Sequence, residues 1–160
     1  MFSLPQLFGE DIEEFNSALD RLLSQTDALA AMIIDVGGFL ITCRGENSAF
    51  DATTLAALAA ASFSATQQMA ITIGESTFNS VYQQGEKFSL LLQDVNGQCL
   101  LVVIFKADNS VGALKYCSTD TIERTKSQLG RAQERHPSQG LDLSSLNLAD
   151  PSAVFKRKQE

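Results

Sequence analysis

The residues best equipped for chemistry in this 160-residue chain are one histidine and three cysteines, and their placement argues against catalysis. His136 stands beside Pro137 at the end of a helical pattern, where a solvated imidazole favoured by the helix dipole is the ordinary reading. Nucleophilic catalysis needs a base within reach of its nucleophile, and nothing in the spacing couples His136 to Cys43 or Cys117. No C-x-x-C pair occurs, so neither a zinc knuckle nor a redox dithiol is indicated. Cys43, Cys99 and Cys117 each lie among apolar residues and are expected as buried, reduced thiols acting as small hydrophobes. Gly37-Gly38 sits between two β-rich runs and not ahead of a helix, and no G-x-x-x-x-G-K-[ST] loop is present. The carboxylates are dispersed. The expectation is a chain with no catalytic residue, no cofactor and no metal: not an enzyme.

Binding is the remaining kind of function, and charge narrows the partners. A formal charge of −7 and a pI near 4.6 argue against nucleic acid or an anionic membrane, both of which need clustered Lys and Arg. Met1 to Phe8 lacks basic residues and runs into Glu10, Asp11, Glu13 and Glu14, unlike an export signal. No apolar run, Leu55 to Ala61 included, exceeds seven residues, far too short to span a membrane. A cytoplasmic protein is expected. The length suits one core without staples.

The elements that would present a binding surface follow from periodicity. Ile12, Phe15, Leu19, Leu22 and Leu23 step by three and four, predicting a helix over 11–24 with Asp11 as a plausible N-cap. Leu29–Asp35 and Phe39–Cys43 read as strands, and the Gly37-Gly38 pair between them supplies a tight hairpin. After Gly74, Ser76–Gln84, Lys87–Gln93 and Cys99–Phe105 form an antiparallel meander whose second turn carries Asn96-Gly97. The last of these is apolar throughout, as a central strand covered on both faces would be. Val111, Leu114, Ile122 and Leu129 mark a third helix, ended by Pro137. The expected fold is α/β of the α+β kind, αββαβββα. A five-stranded antiparallel sheet carries one helix on one face and two on the other. Residues 1–136 form this domain, and 137–160 are read as a tail, disordered or docked in extended form.

The helix between the second and third strands, Thr53–Ala70, stands apart. Asp51 or Thr53 can cap it, and no charged residue occurs along its length. Leu55, Leu58, Ser62, Ala65 and Met69 form one stripe, expected to lie on the sheet. A second stripe, Ala57, Ala61, Ser64 and Gln68, is small and bland, and a third, Ala56, Ala60, Phe63 and Gln67, lies between the two. A surface helix normally carries charge opposite its core face. An uncharged surface of small residues is cheap to desolvate, so this helix is expected to meet a partner.

The residues IIDVGGFLITCRG ahead of this Ala-rich helix resemble the roadblock/dynein light-chain family. So do Leu55-Ala56 to Leu58, Ala65-Thr66-Gln67, Gly74-Glu75 with Phe78, Gln84-Gly85-Glu86, and Leu100 to Phe105. The closer likeness is to the bacterial mutual-gliding-motility B (MglB-like) regulators, partners of a Ras-like GTPase that sets cell polarity. It covers about Ile12 to Leu129. The resemblance implies a roadblock-type homodimer in which the third strand pairs with its twin and the two second helices lie side by side. It also implies a partner GTPase whose hydrolysis is raised without an arginine finger from this chain. Carried onto these residues, the dimer interface is the strand Thr77, Phe78, Asn79, Ser80, Val81 and Tyr82, continuing to Gln83. Phe63 and Tyr82 serve as aromatic anchors there. The partner-binding residues are Ala57, Ala60, Ala61, Ser64 and Gln68. The alternative is a dimeric scaffold or adaptor of the light-chain type, with no effect on GTP hydrolysis.

Overall fold

The computed structural model describes residues 4–135. His136 and the tail expected over 137–160 lie outside the described residues. The elements are α1 (Gly9–Gln25), β1 (Ala28–Asp35), β2 (Leu40–Gly45), α2 (Ala52–Thr72), β3 (Ser80–Gln84), β4 (Phe88–Val95), β5 (Cys99–Lys106) and α3 (Val111–Arg135). This is the expected α+β order. The five strands lie as β2-β1-β5-β4-β3, every neighbouring pair antiparallel.

Turn chemistry sets the two tight hairpins. Asn96 and Gly97 have φ of 57° and 68°, the two left-handed residues that a type I′ turn requires. Between β1 and β2, Gly38 has φ 98°, and a Cβ there would stand 3.1 Å from the Cα of Ala57 in α2. Glycine at 38 therefore serves both the turn and the close approach of the helix.

β5 is buried along its length except at Lys106 and divides its side chains between two cores. Leu101, Val103 and Phe105 join Ile33 and Leu91 beneath α1 and α3, which contribute Phe15, Leu19, Leu22, Leu114 and Leu129. Leu100 and Val102 join Met32, Ile34 and Leu92 beneath α2.

The structure corrects three local expectations. Asp11 is not the N-cap of α1, which begins two residues earlier with Phe8 at the cap position. Asp11 is instead fully buried. Its carboxylate accepts from the Phe8 N–H at 2.7 Å, from the Gln128 amide at 2.7 Å, and from Arg135. The third strand begins at Ser80 and not at Ser76, so Thr77, Phe78 and Asn79 are not strand. The side chain of Gln67 holds that segment. Its Nε2 donates to the Phe78 carbonyl at 2.8 Å, and its Oε1 accepts from the Phe78 N–H at 3.1 Å and the Thr77 hydroxyl at 2.7 Å. Of the three free thiols, only Cys99 is buried; Cys43 and Cys117 are half-buried.

Candidate protein-binding face

α2 begins on a well-made cap. Asp51 accepts from the N–H groups of Thr53 and Thr54 at 3.0 and 3.2 Å and from the Thr54 hydroxyl at 2.7 Å, which satisfies orphan donors of the first turn. These bonds from Thr54 hold the Asp51 carboxyl below its ordinary range. From Ala52 to Ile73 there is no charged residue.

The face that α2 buries is the reverse of the one its large residues suggest. Ala56, Ala59, Ala60 and Phe63 lie on the sheet. Leu55 is only partly buried, while Leu58 is 62% and Met69 59% exposed. The stripe Leu55, Leu58, Ser62, Ala65, Met69, expected on the sheet, therefore does not form the core. The physical reason is distance at the start of the helix. Small residues let its first turns sit close on the sheet, and the contact of Ala57 and Ala60 with Gly38 demands that closeness; leucine there would hold the helix away, whereas Phe63 is accommodated further along.

This rotation sorts the expected site residues. Ala57, Ala61, Ser64 and Gln68 are exposed on one continuous side of α2. Ala60 is buried against the sheet and has no surface to offer a partner. Phe63, expected at the dimer seam, is 7% exposed and belongs to the core beneath α2. Tyr82 is partly exposed and stacks on Phe105, ring centroids 6.0 Å apart, on the side of the sheet covered by α1 and α3. Val81 packs on the α2 side. Thr77 and Phe78 are engaged by Gln67, and the Asn79 carbonyl accepts from the Asp94 N–H at 3.0 Å. The residues brought together are thus the outer side of α2 and β3 beside it, joined by a Gln83 amide to Ser62 hydroxyl bond of 3.0 Å.

Near α2 the sequence reading missed exposed apolar residues at the first hairpin, Val36 and Phe39, and at the end of the helix, Ile71 and Ile73, and it had placed the exposed Met69 on the sheet. Leu58 and Ala65 complete an uncharged crest between them. The run Met69-Ala70-Ile71-Thr72-Ile73 was the available signal, since its large residues fall outside any single helical stripe.

The two edges of the sheet differ in the same sense. At the β2 edge, Thr42 donates to Asn16 at 2.5 Å and Arg44 pairs with Asp20 at 2.8 Å, so α1 guards the strand. β3, Ser-Val-Tyr-Gln-Gln, has no charge and no proline, and its outer side meets no strand among the described residues. Natural sheets blunt free edges with charge or proline, and here neither is used.

Cys99 and Cys43 give no support to nucleophilic chemistry. Burial pushes the Cys99 thiol up to about 12, with Asp35 and Asp94 adding to the effect. Cys43 is also raised by burial, against a hydrogen bond from Asn47. A thiol so held stays protonated and unreactive. Among the described residues no group of His, Cys, Asp and Glu could hold a metal ion, and no helix is long and apolar enough to cross a membrane.

The Roadblock/LC7 domain profile matches residues 14–105. Among solved structures, MglB of Myxococcus xanthus superposes with a TM-score of 0.74 at 28% identity, covering 79% of this chain and 96% of its own. The gliding protein MglB of Thermus thermophilus gives 0.72 at 27% identity, covering 82% and 99%. An MglB described with a tetrameric arrangement gives 0.74 at 27%, with the same coverage. No curated protein sequence matches the chain significantly.

Proposed function

The chain belongs to the Roadblock/LC7 domain family, and from that premise we propose that it is a non-catalytic homodimeric regulator that binds a Ras-like small GTPase and stimulates or positions its GTP hydrolysis. The observation that carries this reading is the unbroken uncharged side of α2 next to the unguarded edge of β3. A surface with no charge from Ala52 to Ile73 loses little hydration when covered, and an open strand edge is a ready template for a second strand. Likeness to MglB over about four-fifths of the chain supports a self-pairing domain of this kind.

In this reading Ser80, Val81 and Tyr82, continuing to Gln84, pair with the same strand of a second copy. The two α2 helices then lie side by side, and Ala57, Ala61, Ser64 and Gln68 face the GTPase. Among the described residues no arginine lies on this face: Arg44 is tied to Asp20 at the far edge, Arg124 to Glu14 on the opposite face, and Arg21, Arg131 and Arg135 belong to α1 and α3.

Ala61→Arg places an unpaired charge on the exposed side of α2 without touching the core. It should weaken binding of the GTPase by a factor of at least about 30, the scale of a hot-spot loss, and leave the thermal midpoint unchanged. The measurement is a titration of the organism's Ras-like GTPase, loaded with a GTP analogue. Unaltered affinity removes this face from the binding site. GTP turnover with and without the protein separates a stimulator from a tether that leaves hydrolysis unchanged.

A further inference from the structure

The α2 side of the sheet is larger than the helix that covers it. Leu92 and Val102 are cross-strand partners in the core beneath α2. Two residues further along each strand, on the same face, Leu90 pairs with Ile104, and beyond them Phe88 pairs with Lys106. Among the described residues no helix lies over these positions; a groove of about 490 Å³ does, lined by Leu29, Phe50, Leu55, Phe88, Leu90 and Ile104. Glu46 and Lys106 are its only charged members.

The far end of α2 has the opposite character. The helix starts near the first hairpin, with Ala57 against Gly38. It reaches β3 through the Ser62–Gln83 bond and the clamp of Gln67 on Phe78. Its last turns therefore lie at the open edge. Apart from Ala70, every residue from Gln68 to Thr77 is exposed, Ile71 by 61% and Ile73 by 70%.

We propose that the groove is a socket for the last turns of α2, Met69, Ile71 and Ile73, from a second copy of this chain. This rests on the two-fold dimer through β3 proposed above, and deepens it by naming what seats each copy on the other. The last turns of α2 cannot reach the socket of their own chain. Leu55, in the groove, and Ile71 are sixteen residues apart on one straight helix, about 24 Å at 1.5 Å per residue. A two-fold axis at the β3 edge solves both problems with one operation. It sets each α2 antiparallel to its twin, so that the end of one helix comes to the beginning of the other, and an isologous contact of this kind is made twice. Met69, Ile71 and Ile73 bring no charge to the groove, and its two charged lining residues, Glu46 and Lys106, are both exposed.

The test uses two variants of the full chain. The first, Ile71→Asp with Ile73→Asp, spoils the knob and leaves the socket. The second, Phe88→Asp, spoils the socket at a residue more than half exposed and leaves the knob; Phe88→Ser replaces it if the aspartate variant does not fold, judged by its circular dichroism and thermal midpoint. By sedimentation equilibrium each variant alone should dimerise at least about 30-fold more weakly than the native chain, as expected for the loss of a buried apolar anchor. An equimolar mixture should self-associate more tightly than either, because the mixed dimer keeps one intact knob in one intact socket, whereas each homodimer keeps none.

Native self-association in both folded variants would overturn the socket and leave the dimer standing. Weakened variants without recovery on mixing would also overturn it, since the contact would not pass between copies. Groove variants that lose the GTPase while pairing normally would assign the groove to that partner instead. The same dimer strength after deletion of residues 137–160 is the expected control; a loss there assigns the groove to the chain's own tail. A native chain that stays monomeric throughout fails the dimer reading itself, and the socket with it.

Discussion

The two faces of the sheet are built to opposite rules. Beneath α1 and α3, bulky side chains such as Phe15, Leu19, Leu22 and Phe105 are fully buried, and the outer sides of the helices are laced together. Arg124 binds Glu14 at 2.7 Å and donates to Ser17 at 3.1 Å, Arg21 reaches Asp120 at 3.6 Å, and Arg135 with Gln128 closes on the buried Asp11. That face is finished within one chain. On the other face three alanines and Phe63 touch the sheet, Leu58 and Met69 point away, and no charge occurs over the whole helix. The difference teaches that charge on a helix marks a boundary with water. Where it is missing, an apolar surface is left over that a partner can bury at little cost.

If the closed face carries the stability of the single chain, its largest buried side chain should dominate. Phe15→Ala should lower unfolding free energy by about 3–5 kcal/mol through lost transfer energy and the cavity left behind, read by urea denaturation of the dilute protein. A loss below about 1 kcal/mol would break the comparison at its root. The next largest effect belongs to the lacing. Asp11→Ala leaves the Gln128 amide buried without its acceptor and takes from Arg135 one of its two carboxylates. Unfolding free energy should fall by about 2 kcal/mol, with GTPase binding and self-association unchanged once folded. A matching fall in self-association would mean that the two faces are coupled.

The same contrast explains what could be read from the residues alone. Turn residues act locally, so Gly37-Gly38 and Asn96-Gly97 located two hairpins before any contact was known, and the wholly apolar Cys99–Phe105 marked the middle of the sheet. α1 and α3 were legible because charge on one side names the other as core. α2 offers no such mark. Three stripes of similar hydrophobicity fit its period, and the choice among them depends on how close the helix must come to Gly38, a contact between residues far apart in sequence. Size was a misleading guide there: it put Leu58 and Met69 inside and left Phe63 and Ala60 for a partner. The late start of β3 has a similar origin, since the Thr77–Phe78 backbone is satisfied by a glutamine side chain from another element. What was legible at this face was its lack of charge, not its orientation.

The smallest effect on stability should come from the largest residue on the crest of α2. Leu58 is 62% exposed, so Leu58→Ser removes little buried surface, and away from packed positions such changes stay within about 0.5 kcal/mol. A leucine committed to the single chain's core would instead lose about 2–5 kcal/mol on truncation to a small residue. The two ranges do not overlap, so one urea titration of the dilute monomeric protein decides which side of α2 faces the sheet. The consequence should appear on raising the concentration or adding the GTPase. There the same substitution gives up apolar area that only association buries, and weakened association with unchanged monomer stability is the signature of a face completed by partners. A stability loss of several kcal/mol in the dilute chain would return Leu58 to the core and put the exposed crest, and the surface argued from it, in the wrong place.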